Sequence, residues 1–318
     1  MTLNSKKTPK TPLAGWIRES TKPIDFDSIF CPFSGNASIP RVFKSLGKEV
    51  ITSDALLTYS QTALAFIEND NTRLDAFEAE SLVGPNDHIM QQLEGIVAAY
   101  GLPPVFGEWL DKCHANLDRI DHEYKKALAT TVISKVISFV MEYGDDRKSR
   151  LSEEDWISTF HYYVLAVNEN VFSTDKSCIA HQQDSYKLVP EIIADAMYFY
   201  LYSPDGITKL RPTERLSELF NRYCFEKELD YTLETLIKSG PGTKSLDAEQ
   251  YLANLAIFLE ASDHIPNWFI ATNSAMVPGV DSVVKLISEY RKNTKLLSKE
   301  IVFSANYSRT EHFIVALA

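Results

Sequence analysis

The stretch from Phe26 to Ile67 constrains the fold more than any other part of this chain. Phe26-Asp27-Ser28-Ile29-Phe30 reads as a short strand and is followed by a glycine-containing turn, Phe33-Ser34-Gly35-Asn36-Ala37. Apolar residues then recur at Ile39, Val42, Phe43 and Leu46, the spacing of one helix face. Gly47 stops that helix as a C-cap glycine does, and Glu49-Val50-Ile51-Thr52-Ser53-Asp54 reads as a second strand ending in an acid. Helical spacing resumes from Ala55 to Ile67. Strand, loop, helix, strand, helix is one βαβα unit of an open α/β sheet.

The remaining pattern organises around that unit. From about Asn86 to Ser173 strand signals nearly vanish, and long amphipathic helices are predicted at Leu110 to Ile137 and Trp156 to Val167. The charged turn Gly144-Asp145-Asp146-Arg147-Lys148 separates them. A sheet pattern returns between Ile192 and Tyr202, ahead of the turn Ser203-Pro204-Asp205-Gly206. Helical text from Arg215 to Lys238 is broken by Ser239-Gly240-Pro241-Gly242. A helix (Asp247 to Ala261), a strand (Trp268 to Thr272), a helix (Val280 to Lys292) and a hairpin-like pair (Lys299 to Ala305, His312 to Ala316) complete the chain. The predicted organisation is an N-terminal arm (1–25), a first part of the α/β domain (26–85), a helical insertion (86–175) and a second part of the α/β domain (176–318).

Composition narrows the function classes. With 45% apolar and 11% aromatic residues among 318, the chain builds a packed core, which excludes disorder as its main state. Its 32 Lys and Arg against 43 Asp and Glu give a formal charge of −11, the opposite balance from a free-standing nucleic-acid binder. Cys31, Cys113, Cys178 and Cys224 are scattered and form no C-x-x-C pair, so neither a disulfide framework nor a structural zinc is indicated, and a reduced cytoplasmic chain is expected. Met1 to Pro12 carries lysines without an apolar stretch behind them, and no window reaches membrane-spanning length.

A loop between a strand end and a helix start presents backbone N–H groups and a positive dipole end, where α/β folds place nucleotide-like ligands. Asp54 lies about 20 residues beyond the glycine, where a ribose-binding carboxylate is expected. The run Phe30-Cys31-Pro32-Phe33-Ser34-Gly35-Asn36-Ala37, with Gly47 and then Thr52-Ser53-Asp54, resembles the S-adenosylmethionine loop of Dam-type adenine-N6 DNA methyltransferases. In that family the loop reads Asp-Pro-Phe-x-Gly-x-Gly, followed by a helix, a glycine, a short strand and an acid. Pro12-Leu13-Ala14-Gly15-Trp16-Ile17 resembles an eroded N-terminal cofactor motif, and the helical insertion stands in the target-recognition position. His181-Gln182-Gln183-Asp184-Ser185 resembles the segment carrying the family's cofactor-facing acid. The closing strands match as well, so about four fifths of the chain is covered in order. The resemblance implies a Rossmann-like α/β methyltransferase sheet, with Trp16, Phe33, Gly35, Asp54 and Asp184 at the cofactor.

The catalytic tetrapeptide is missing. The family holds a flipped adenine with Asp-Pro-Pro-Tyr, whose acid accepts from the amino group and whose ring stacks on the base. At that position this chain has Tyr200-Leu201-Tyr202-Ser203, with neither acid nor proline. Gly101-Leu102-Pro103-Pro104-Val105-Phe106 has two prolines but no acid, and reads as a turn. In the cofactor loop, Cys31 replaces the acid and Ala37 replaces a glycine, whose β-carbon is expected to push the loop away from positive φ. S-adenosylmethionine binding is thus expected to be weakened.

Other clusters point to structure. His114, Asp118 and His122 follow one another at i, i+4 on a predicted helix face, but the two histidines are about 12 Å apart along it, too far to share one ion easily. No metal site is expected. Lys125-Lys126 and Arg147-Lys148 with Arg150 are the densest basic spots and read mainly as solvated charges. The expected function is that of a degenerate adenine-N6 DNA methyltransferase homologue, more pseudoenzyme than enzyme. It would serve as a subunit or regulator in DNA modification, restriction or phage defence, beside an active methyltransferase or nuclease subunit or as a homodimer. DNA would be reached through that complex. The alternatives are a divergent active adenine-N6 methyltransferase and a scaffold without ligand.

Overall fold

Short apolar runs build the middle of a seven-stranded mixed sheet. A computed structural model describes residues 10–86, 92–142, 151–202, 210–226, 240–241, 245, 247–304 and 307–318. Its strands are β1 (Ser28–Pro32), β2 (Glu49–Asp54), β3 (Ile179–Gln182), β4 (Ala196–Tyr200), β5 (Asn267–Asn273), β6 (Asn293–Ser304) and β7 (Tyr307–Leu317). The order is β3-β2-β1-β4-β5-β7-β6; β1 to β5 run parallel, and β7 is antiparallel to both β5 and β6. The central strands β1, β2 and β4 are almost continuously buried, as parallel strands covered on both faces must be.

Alternation along each strand divides the core into two faces. Phe30, Met197, Phe199, Trp268, Ile270 and Ile314 face α11 (Ala248–Ala261) and α12 (Val280–Tyr290), which contribute Phe258 and Ile287 to the same cluster. On the opposite face Phe269 meets Phe26 edge-on and Phe313 at a tilt, and Tyr198 packs against Phe43 of α2 (Ser38–Ser45). Phe313 also meets Trp16 of α1 (Lys10–Thr21) at a centroid distance of 6.1 Å. Asp195 fastens the strand starts: its Oδ2 accepts from the backbone N–H of Asp27 (2.9 Å) and Ser28 (2.8 Å) and from the Ser28 hydroxyl. Those donors, the Asp27 N–H foremost, hold its pKa below the ordinary carboxylate value.

The chain forms two compact units, each discontinuous in sequence. Met1–Ala55, Thr174–Thr208 and Ile237–Ala318 make the sheet unit; Leu56–Ser173 and Lys209–Leu236 make the other. All described elements of the second unit are helical: α3 (Leu57–Ala63), running into one wide turn at Leu64–Glu68, then α4 (Ala76–Val83), α5 (Glu94–Ala99), α6 (Pro104–Leu117), α7 (Glu123–Glu142), α8 (Glu153–Asn168) and α10 (Pro212–Glu226). Residues 127 to 133 of α7 are buried on every side, so this helix is the unit's core rather than an amphipathic cover. Reciprocal capping boxes start α4 (Asp75 with Glu78) and α8 (Ser152 with Asp155).

Several expected boundaries change. The single helix expected over Leu110 to Ile137 is broken between Leu117 and Glu123, where Ile120 is the lone apolar residue among polar neighbours. Strand β3 has no sequence signal because it is a four-residue edge strand with no fully buried position. The closing hairpin is longer than its apolar pattern, since backbone pairing continues through exposed residues. The turns at 144–148 and 203–206, and the break at 239–242 apart from residues 240 and 241, lie outside the described residues.

Candidate functional site

Three left-handed residues shape the loop after β1: Phe33 (φ 55), Gly35 (φ 53) and Ala37 (φ 54). The expectation that a β-carbon at position 37 pushes the loop out of positive φ is therefore corrected. Ala37 keeps that conformation, fully buried, at a cost of about 1–2 kcal/mol. The surrounding bonds over-determine it. The Ala37 N–H donates to the Ser34 carbonyl (3.1 Å), Ser34 N–H to the Ser53 carbonyl (3.1 Å), and Gly35 N–H to Asp54 Oδ2 (3.0 Å). Phe33 N–H donates to the Ser185 hydroxyl (3.2 Å), which in turn bonds to Ser53 Oγ at 2.6 Å. The end of β2 and the start of α9 (Ser185–Leu188) thus clamp the loop from two sides.

The loop is open at Gly35. A β-carbon built on Gly35 meets nothing within 4 Å, and α2 begins behind Ala37 without a side-chain cap. At the start of α2 the Ser38 N–H donates to Asn36 Oδ1 (3.3 Å) and Pro40 has no N–H, so the helix end offers few amides to a ligand. The ring of Phe33 packs on Phe258 (5.2 Å) and Tyr186 (6.2 Å). Cys31, at the position of the family's acid, is buried, and burial pushes its thiol pKa well up, so it supplies no charge.

The residues expected at a cofactor occupy distinct places. Phe33 and Gly35 form the loop, and Asp54 stands beside it, only 2% exposed and holding the Gly35 amide. Asp184 is exposed and caps α9 through the Tyr186 N–H at 3.0 Å, one residue from the serine that clamps the loop. Trp16 lies against Phe313 of β7, three strands from β1 in the sheet order.

The end of β4 is occupied by a closed polar network. Tyr200 is its last residue; its hydroxyl donates to Glu311 Oε2 (3.1 Å) and accepts from Asn273 Nδ2 (2.9 Å). Glu311, fully buried on β7, receives Arg309 on its other oxygen, with Nε at 2.9 Å. Burial and then the Glu311 charge raise the Tyr200 phenol pKa, so it stays protonated and donating. Leu201 is buried beside β5, where its N–H donates to the Ala271 carbonyl (2.8 Å), and the Tyr202 ring lies 4.9 Å from that of Tyr200. Ser203 lies outside the described residues. Glu311 and Asn273 were not singled out by sequence; the alternation Arg309, Glu311, Phe313 on one strand face is the signal that marks an inward-pointing charge.

The other clusters resolve into structural contacts. His114 and His122 do not share a helix, since α6 ends between them; His114 stacks on Tyr223 at 3.8 Å. Among the described residues no group of three His, Cys, Asp or Glu could hold a metal ion. Lys125 pairs with Glu78; Arg147, Lys148 and Arg150 lie outside the described residues. Pro103 and Pro104 begin α6, with Pro104 at its first position. Among the described residues no helix is long and apolar enough to cross a membrane.

A sheet of this order, with an antiparallel β7 between β5 and β6 and helices on both faces, is consistent with a Rossmann-like methyltransferase fold. The type II methyltransferase M2.HphI of Haemophilus parahaemolyticus is 22% identical to this chain over 329 aligned residues, covering 95% of this chain and 94% of that protein. This similarity supports a methyltransferase-like chain. No family model matches it.

Proposed function

We propose that this chain is a methyltransferase homologue that keeps the cofactor loop, lacks the adenine-N6 reaction centre, and acts as a subunit or regulator of a DNA modification, restriction or phage-defence system. One observation carries the reading: at the end of β4 the residue in the acid's position is Tyr200, whose hydroxyl is tied to Asn273 and Glu311, across β5 and away from β1. Residues 200 to 202 hold no side-chain carboxylate to accept from a base amino group. The acidic balance of the chain agrees with a partner that supplies the phosphate-binding charge.

The reading of an adenosyl ligand is supported by the open space before Gly35 in a loop of left-handed residues after β1. Asp54 holds the loop by accepting from the Gly35 N–H. When bound, S-adenosylmethionine carries a methyl group activated on its sulfonium. This chain's residues would bind and orient the adenosyl part, while Cys31, protonated, adds no charge to the site.

The test is methyl transfer from tritiated S-adenosylmethionine to unmodified DNA by the isolated chain, with calorimetric titration of the same cofactor. Binding without transfer is expected. A second reading, a divergent active adenine methyltransferase, is favoured by the near full-length similarity to M2.HphI and by the Glu311 carboxylate at the same sheet edge. Robust transfer by the isolated chain establishes that reading instead, and absence of both binding and transfer leaves a scaffold.

A further inference from the structure

We infer that Glu311 on β7 fixes the identity of the residue at the end of β4: while Glu311 is present, position 200 requires a long neutral donor and rejects the carboxylate that adenine chemistry needs. This rests on the proposed function above and assigns its structural cause to a residue outside the tetrapeptide.

The geometry is specific. β7 is antiparallel to β5, and Glu311 lies opposite Asn273 at the C-terminal end of β5, on the face that carries Tyr200. Reaching from β4 to β7 means crossing β5, a span of about 10 Å between strand axes. The phenol bridges it; an aspartate is too short. Both Glu311 oxygens are engaged, one by Tyr200 and one by Arg309, and Asn273 is held in place, donating to Tyr200 and accepting from the Ala275 N–H at 2.9 Å.

Replacing Tyr200 by aspartate therefore does two things at once. It strips Glu311 Oε2 of the phenol donor, and it puts a second carboxylate on the same buried face of the sheet, short of Glu311 but within its low-dielectric surroundings, which favours protonation of one of the two. The other titratable or charged groups around Glu311 are Arg309 and His312 on its own strand, Lys299 opposite it on β6, and Tyr198 on β4 with Tyr202 beyond its end. Among the described residues Arg309 is the cation bonded to the carboxylate, and in the variant it faces two anions.

The experiment uses the full chain and urea unfolding at pH 7.5 and 5.5 for Tyr200→Asp, Glu311→Gln and the double variant. Tyr200→Asp is expected to lower the unfolding midpoint sharply at pH 7.5 and less at pH 5.5, and Glu311→Gln in the same chain is expected to recover most of the loss. A purely steric defect at position 200 would be insensitive to pH and unrelieved by Glu311→Gln, and either result overturns the inference. Should Tyr200→Asp fail to fold, the milder cycle of Tyr200→Phe with Glu311→Gln decides: coupling of at least about threefold in the folded-to-unfolded ratio is expected, and additivity overturns the inference. Methyl transfer by the wild-type chain would remove the proposed function while leaving this coupling intact, so the two failures are distinguishable.

Discussion

Replacing Asp54 by alanine removes the carboxylate that holds the Gly35 amide at 3.0 Å, a tie between the end of β2 and the loop beside the backbone bond from Ser34 N–H to the Ser53 carbonyl. A hydrogen bond to a buried charge contributes about 1.5–3 kcal/mol, and Asp54 is almost wholly buried, so a loss of about 2 kcal/mol is expected for the alanine variant. Asp54→Asn retains an acceptor and loses only the charge, so its loss is expected near 1 kcal/mol. Local opening of the loop against 2 kcal/mol less resistance exchanges amide hydrogens roughly thirty-fold faster. Hydrogen exchange read by mass spectrometry on peptides spanning residues 33–54 measures this, with peptides from β5 as an internal control. Because binding requires the closed loop, S-adenosylmethionine affinity falls with the fraction of loop opened in the variant, by at most about thirty-fold in calorimetry. If exchange in 33–54 and cofactor affinity are both unchanged in Asp54→Ala, Asp54 does not organise the loop and the reasoning fails.

Further outcomes follow from the same structure. Gly35→Ala places a methyl group in open space at φ 53, so a stability loss of about 1 kcal/mol is expected beside a much larger loss of cofactor binding; equal losses in both would show that the space is not a ligand site. Glu218, buried on α10, accepts the N–H groups of Leu57 (3.0 Å) and Thr58 (2.9 Å) at the start of α3 and pairs with Arg222. Glu218→Ala is expected to cost about 2–4 kcal/mol in urea unfolding, and Glu218→Gln about half of that; a neutral alanine variant contradicts the capping role. Burial pushes the pKa of Asp111 from 3.8 to about 6, although it accepts from Gln92 and Leu93 N–H. Its folded-state pKa is raised, so its contribution is fully present below about pH 4 and lost as pH rises through about 6. Asp111→Asn is expected to flatten the unfolding midpoint between pH 4 and 7, and an unaltered pH profile would rule out Asp111 as its source.

Local chemistry made much of the fold legible. Ile39, Val42, Phe43 and Leu46 declare α2, Gly47 stops it with φ 73, and β2 has the limits that its apolar run gives, because these elements bury a continuous face next to their own chain neighbours. The helical character of the second unit is equally plain in its periodicity. Its membership is not, for α3 and α4 precede residue 86, and α10 returns from beyond residue 209 to pack in the same unit. A helix's pattern says that it has a buried face and does not say against which distant helix that face is laid. Edge strand β3 and the break between Leu117 and Glu123 escaped for the opposite reason, since each exposes too much to leave a pattern.

By itself the sequence determined that Gly35 and Asp54 stand at consecutive strand ends and that position 200 has no acid, since both are matters of order and residue type. Only the tertiary structure decided what those residues do. Asp54 spends its carboxylate on the Gly35 amide, Ala37 keeps a left-handed backbone because four hydrogen bonds around it fix the loop, and Tyr200 finds Glu311, 111 residues away in sequence. Spacing along a chain encodes which face a side chain takes. Pairing of a buried charge depends on strands that meet only after the sheet has assembled, and that is where the character of this site was set.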